Sequence, residues 1–348
     1  MEKYIEKISS ATEKKTKKIQ PLVKFISPHF GAFPSWINLT FETFSRNRDF
    51  ELIVVTDQKT DKFSKYSNIS FYHCSLEDFS NLAAQKTKTN VNIKRGYKIC
   101  DFRPAFGVIF DEYLQNYDYW GHLDLDTFWG DMSSGLNHII AKQYDIICAA
   151  SHHVGGPFCL YKNTEKINNL YKKNSYYIHA FEVEKNVDFD EIGIKIDNNG
   201  FEKTVRISEA NREIDVFRGK QFYLQDFDSS WWIKQVKKAF PDDTYLYPAF
   251  EFGKGIWQDG KIFDFQQEKE YVFYHFIDGK RRLFRPFKIK WCHQINYFYI
   301  GINGIKLNYK SWLYRSLHYM ENLIIDALCI VIYKLGFLRH RLGLYRRK

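Results

Sequence analysis

Between residues 22 and 150 the chain repeats one pattern: short apolar runs of strand length alternate with segments of helical spacing. Residues 22–27, 51–57, 69–73, 117–126 and 145–150 read as strands, and the second and fourth of them end on a carboxylate. Between them, Trp36, Ile37, Leu39, Phe41 and Phe44 fall at helical spacing. Further on, Phe106, Ile109, Phe110 and Tyr113 recur at i, i+3, i+4 and i+7, predicting a helix over residues 105–114. Strands alternating with helices predict an α/β fold, a mixed, mostly parallel sheet with helices on both faces. Such sheets bind ligands beyond the carboxyl ends of their strands, so chemistry is to be sought there. Downstream, Gly155-Gly156-Pro157 predicts a turn into a strand at residues 158–161. Residues 201–219 read as polar hairpin material, and Trp231-Trp232-Ile233 as the start of a helix.

Composition narrows the class. A chain of 348 residues, 45% hydrophobic and 26% charged, is long enough for one large domain with an extension and excludes bulk disorder. The 18% aromatic content suits either ligand clefts or dense core packing. Six scattered cysteines with no C-x-x-C pair argue against a disulfide framework or zinc ribbon and for a reducing compartment. The net charge of +10 is concentrated at the two ends and accompanies no nucleic-acid module, so no nucleic-acid partner is expected. Residues 1–20 form a charged leader without the apolar core of a secretory signal, and no run reaches the roughly 20 apolar residues of a spanning helix. The expected location is cytoplasmic.

The most informative run is Tyr119-Trp120-Gly121-His122-Leu123-Asp124-Leu125-Asp126. In an extended chain, residues two apart point to the same side, so Asp124 and Asp126 converge. Two adjacent carboxylates repel unless a cation lies between them, and oxygen ligands select hard ions such as Mg²⁺ or Mn²⁺. Such an ion bridging a diphosphate stabilises the charge on a departing nucleoside diphosphate. Two solvated turn aspartates would give the same spacing; the position at the end of an apolar strand is what favours the cation.

With that run in place the chain resembles the GT-A superfamily of sugar-nucleotide-dependent glycosyltransferases, and more closely an uncharacterised bacterial family of capsule or lipopolysaccharide glycosyltransferases. The motifs are Pro28-His29-Phe30-Gly31 with Pro34-x-Trp36, Thr56-Asp57, residues 97–107 (Tyr-Lys-Ile-Cys-Asp-Phe-Arg-Pro-Ala-Phe-Gly), residues 117–126, and Gly130-Asp131. The resemblance spans about residues 21–290, with a nucleotide-sugar half over 21–130 and an acceptor half over 131–290. It implies that Pro28, His29, Phe30 and Gly31 receive the nucleotide and that Asp57 contacts base or ribose. Asp101 and Arg103 would hold donor sugar or phosphate. In Tyr274-His275-Phe276-Ile277-Asp278-Gly279-Lys280, it implies that His275 completes the metal shell and Lys280 contacts the diphosphate, although the Pro-Trp that usually ends this motif is missing. Asp190 and Glu191, in a Phe-Asp-Glu segment, are the candidate catalytic carboxylates; Asp226 and Asp228 are further candidates.

The function so implied is metal-dependent transfer from a nucleotide sugar, expected to be a UDP-sugar, to a glycan or lipid-linked glycan in bacterial surface polysaccharide synthesis. The alternative is an inactive GT-A-like domain that binds glycan or membrane. Residues 291–348 read as an aromatic and basic helical extension. Apolar residues around Asp326 and terminal Arg339, Arg341, Arg346, Arg347 and Lys348 suit a peripheral dock on the inner face of the membrane.

Overall fold

The computed structural model describes residues 21–151, 153–219, 222–225, 239, 250–252, 255–264, 268–277, 297–301 and 304–307. The leader, Asp226 and Asp228, residues 231–233, Lys280 and residues 311–348 lie outside the described residues.

The central strands are β1 (Val23–His29), β2 (Phe50–Thr56), β3 (Ile69–His73) and β4 (Tyr119–Leu123). β5 (Thr127–Trp129) leaves the sheet, and β6 (Ile146–Cys148), β7 (Phe158–Lys162) and β8 (Val216–Arg218) rejoin it. The resulting seven-stranded sheet has the order β3-β2-β1-β4-β7-β6-β8. Pairings from β3 through β4 and between β6 and β8 are parallel, while β7 runs antiparallel to both neighbours. This is the mixed, mostly parallel sheet that the alternating pattern predicts.

The strands read as continuous apolar runs because both faces are covered. Phe25, Leu52, Val54, Tyr119 and Leu123 face one core, packed by Phe41 and Phe44 of the helix Ile37–Ser45 and by Met132 and Leu136 of the helix Met132–Ile140. Ile26, Ile53, Val55 and Trp120 face the other, beneath Phe102, Phe106, Phe110 and Val205. Much of the aromatic excess is spent here: Phe25 lies 5.5–6.4 Å from the rings of Phe44, Phe50, Trp129 and Phe158.

The later strands are β9 (Tyr223–Gln225), β10 (Phe250–Phe252), β11 (Gly255–Gln258), β12 (Lys261–Asp264), β13 (Glu270–Tyr271), β14 (Phe273–His275), β15 (Tyr297–Gly301) and β16 (Gly304–Leu307). They form two small sheets, β10-β9-β14-β5 and β13-β12-β11-β15-β16. The pairing of β5 with β14 is the one that matters for function, because it carries His275 to the end of β4.

Four expectations are corrected. Residues 105–114 are a 3₁₀ segment Gly96–Ala105 ending into two short helices, Phe106–Ile109 and Asp111–Leu114, interrupted at Phe110 (φ −112°, ψ 24°). Residues 201–219 contain the helix Phe201–Ala210 followed by β8. Its buried residues are Phe201, Glu202, Thr204, Val205 and Ser208, and the three polar ones disguise the spacing. β1 continues through Pro28 because β4 pairs only with residues 23–26, which relaxes the demand for a donor further along. Finally, β15 pairs with β11, so the described residues beyond 290 are strand, and the sheet crosses the boundary expected there.

Candidate metal and nucleotide cleft

The strand order reverses between β1 and β4, since β2 and β3 lie on one side of β1 and β4 on the other. A cleft of about 430 Å³ opens at the carboxyl ends of these two strands, where such a reversal separates the connecting loops. Its walls include Ser27, Pro28, His29 and Phe30 from β1 and its loop, Tyr97, Cys100 and Arg103 from the 3₁₀ segment, Trp36, and residues 122–126.

The chain does not run extended through the Asp-x-Asp. β4 ends at Leu123, and residues 124–126 turn into β5. The turn is held from all sides. The Asp124 N–H donates to the Pro157 carbonyl (2.9 Å) and the Thr127 hydroxyl to the Asp124 carbonyl (2.6 Å). The Leu125 carbonyl accepts from the Trp36 indole (3.1 Å) and the Thr40 hydroxyl (2.9 Å). The Phe276 N–H donates to the Asp126 carbonyl (2.8 Å). The two carboxylates therefore converge by a braced turn and not by strand periodicity.

His275 arrives from β14. Its Nε2 lies 3.5 Å from an Asp126 oxygen and 3.9 Å from an Asp124 oxygen, and one ligand atom of each of the three residues lies within 4.8 Å of the others. Two carboxylates and an imidazole from two separate parts of the chain make a donor set that fits Mn²⁺ or Mg²⁺. Asp124 also forms a close ion pair with Arg103 through its other oxygen.

Arg103 is the second organising group. It donates to an Asp190 oxygen at 3.1 Å and to the Gly156 carbonyl at 3.2 Å. Gly156 is a backbone hub: its carbonyl also accepts from His122 Nε2 (3.3 Å), and its N–H donates to Glu191 (3.1 Å). Gly155 and Gly156 adopt φ +90° and +67°, which favours glycine at both, and a Cβ on Gly155 would stand 2.7 Å from the Asp190 carbonyl, so the close approach itself requires glycine at 155. Burial pushes the Asp190 carboxyl well above the usual carboxylate range against the pull of Arg103. Burial acts on Glu191 in the same direction, but His153, 3.6 Å away, and Arg103 outweigh it and leave that carboxyl below its ordinary value. Burial and the neighbouring guanidinium lower His122 to about 3, so its imidazole is neutral.

Pro28, His29 and Phe30 line the cleft, whereas the placing of Asp57 and Asp101 differs from their expected roles. Gly31 and Asp57 brace each other: the Gly31 N–H donates to the Asp57 carboxylate at 2.9 Å, which also accepts from Gln58 at 2.8 Å. Asp57 thus braces the loop after β1 and is not among the cleft-lining residues. Asp101 is fully buried and faces away from the cleft. It pairs with Lys98 (2.8 Å) and accepts from the Asn186 side chain (3.1 Å) and the N–H groups of Val187 (3.0 Å) and Phe189 (2.8 Å). No oxygen is left over for a donor sugar, so Asp101 fastens the segment that carries Asp190 and Glu191. His153 was not singled out from sequence; a histidine just before the Gly155-Gly156 turn was the available signal.

Fold and site together define an α/β protein with a candidate cation site at the mouth of a nucleotide-sized cleft. The chain belongs to the family of unknown function DUF6625, whose model matches residues 25–307. No curated protein matches its sequence. Among solved structures it is similar to galactosyltransferase LgtC in complex with donor and acceptor sugar analogues, at 10% identity over 73% of this chain and 86% of that chain, with a TM-score of 0.40. It is similar to apo mouse xyloside xylosyltransferase 1 at 9% identity over 73% and 96%, with a TM-score of 0.39. It is also similar to the apo glycosyltransferase GlyE of Streptococcus pneumoniae TIGR4, at 10% identity over 74% and 55%, with a TM-score of 0.37. At this distance the likenesses carry no inference about this chain.

Proposed function

We propose that the protein is a metal-dependent glycosyltransferase that moves a sugar from a nucleotide-sugar donor, with UDP as the nucleotide part, onto a glycan or lipid-linked glycan. The observation that carries this reading is the convergence of Asp124, Asp126 and His275 at the carboxyl end of β4, beside a cleft large enough for such a donor. Asp124, Asp126 and His275 would hold a divalent cation there, which would supply positive charge to the donor's diphosphate. Pro28, His29 and Phe30 are the surface for the nucleotide, on a loop that Asp57 keeps in shape. Arg103 is a second cation for donor oxygens, its planar fork fixed by Asp124, Asp190 and the Gly156 carbonyl. Lys280, outside the described residues, is proposed for the diphosphate.

Neither candidate carboxylate is among the cleft-lining residues; of the two, Glu191 is the one held below its ordinary pKa, and it is the one proposed for the chemistry. Ionised at neutral pH, it can accept a proton from an acceptor hydroxyl or face the positive charge that develops on the sugar. Asp190, buried against Arg103, serves to position that guanidinium. For the cell, the proposal is a role in surface polysaccharide synthesis, with the C-terminal segment as a membrane contact. Among the described residues no helix is long and apolar enough to cross a membrane.

The test is hydrolysis of a panel of nucleotide sugars with Mn²⁺, with Mg²⁺ and with chelator. The expected result is release of nucleoside diphosphate from one donor that chelation abolishes. Nucleotide binding with no turnover of any donor under either metal would favour an inactive binding domain instead.

A further inference from the structure

Glu202 is a buried charge outside the cleft. It lies in the first turn of the helix Phe201–Ala210, and its side chain has no exposed surface. It forms ion pairs with Arg206 and, at 3.1 Å, with Arg218 at the end of β8. Arg218, 5% exposed, also pairs with Glu209 at 3.1 Å. Two carboxylates thus face two guanidiniums. A buried ion pair is often no more stabilising than apolar side chains of similar volume, so stability alone does not account for the cluster.

What the cluster touches is the loop that carries Gly156. One Glu202 oxygen accepts the Val154 N–H at 2.6 Å, and two residues further on the Glu191 carboxylate accepts the Gly156 N–H at 3.1 Å. With Gly155 and Gly156 both at positive φ, the loop forms no strand ladder there, and its N–H groups take side-chain acceptors instead. The backbone makes a second connection. The Glu202 N–H donates to the Glu191 carbonyl at 3.0 Å, beside the bonds from Phe201 to Phe189 (2.7 Å) and from Gly200 to Ile192 (2.9 Å). Glu202 therefore holds the Val154–Gly156 loop by its side chain and the segment at 189–192 by its backbone. Arg103 bonds to one group from each, the Gly156 carbonyl and the Asp190 carboxylate.

We infer that Glu202 is a positioning residue for Arg103. Its carboxylate sets the Gly155-Gly156 turn against the 189–192 segment, so that the guanidinium presents its planar fork to the donor, while Arg206 and Arg218 keep that carboxylate in place. This rests on the nucleotide-sugar reading above, and it gives a part in the reaction to a residue that does not line the cleft. A displacement of about 1 Å in a positioned group can cost about a hundredfold in rate, so the effect is measurable.

Two forms separate the bond to Val154 from the charge. Glu202→Gln keeps an acceptor for the Val154 N–H but leaves Arg206 and Arg218 facing an amide. Glu202→Met combined with Arg218→Met removes that acceptor together with one charge of each sign, and leaves Arg206 and Glu209, both partly exposed, to water. Release of UDP from UDP-glucose, UDP-galactose and UDP-N-acetylglucosamine with Mn²⁺ gives the rate, and thermal melting of the same preparations gives the stability. The wild-type protein turns over at least one of these donors. The Gln form melts about 5 °C lower or more, yet keeps its rate within about threefold. The double form melts within about 3 °C of the wild type and loses about tenfold or more in rate. The two rankings are opposed, whereas a merely structural role makes rate and melting fall together. A double form that keeps its rate within threefold, or rates that follow melting across the three proteins, overturns the proposal. So does a double form that fails to fold, because the charges are then what the cluster is for. If the Gln form does not fold, the double form decides alone. A wild-type protein that turns over none of the donors overturns the UDP-sugar reading itself, and this inference with it.

Discussion

Asp126→Ala removes donor turnover by about a thousandfold or more and leaves the fold intact. The asymmetry follows from how the turn is built. Its shape is held by backbone groups, the carbonyls of Asp124, Leu125 and Asp126 and the N–H of Asp124, none of which the substitution touches. The side chain instead adds a second negative charge beside Asp124, so deleting it relieves repulsion in the metal-free protein. Steady-state release of nucleoside diphosphate and thermal unfolding, measured on the same preparation, check both halves. Turnover within tenfold of the wild-type rate would remove Asp126 from the chemistry, and a melting temperature many degrees lower would show that the turn depends on its carboxylate.

The second large effect is on stability. Asp101→Ala costs about 3–5 kcal/mol, because it leaves the Lys98 ammonium buried without its counter-ion and strips an acceptor from Asn186, Val187 and Phe189. Burial already draws Lys98 below its usual value despite the carboxylate beside it, so without Asp101 the amine tends to lose its proton instead of tolerating the site. Phe102 stacks on Phe181 at 4.2 Å on the same seam, so part of the seam survives. Denaturant unfolding should show the midpoint falling with little change in slope. A loss below 1 kcal/mol would mean that the seam is held by the aromatic stack and not by the ion pair.

The sequence made the sheet legible because a central strand such as β2 is covered on both faces and reads as an apolar run, found to within a residue, while the partly exposed edge strand β3 was still marked by Ile69, Phe71 and Tyr72. It also pointed to the end of β4 as the place for chemistry. Residue spacing alone does not show the long-range part: the resemblance implied His275 as a metal ligand, and the pairing of β14 with β5, across nearly 150 residues of chain, is what brings it to Asp126. The same holds for Asp101. Next to Arg103 in sequence, it reads as a ligand-binding partner, but the tight 3₁₀ turn points the two side chains to opposite uses, one to the cleft and one to the segment at residues 186–189. The helix Phe201–Ala210 was hidden because Glu202, Thr204 and Ser208 are three of its five buried residues. Polar residues in a buried position mislead pattern reading.

The most direct measurement is calorimetric titration of UDP into the protein with Mn²⁺ and with chelator, on the wild-type chain and on His275→Ala. If Asp124, Asp126 and His275 hold a cation that grips a diphosphate, UDP affinity rises at least about tenfold with Mn²⁺ in the wild-type protein, and most of that rise is lost in the variant. Equal UDP affinity with and without the metal, in a protein that binds UDP, would contradict the account.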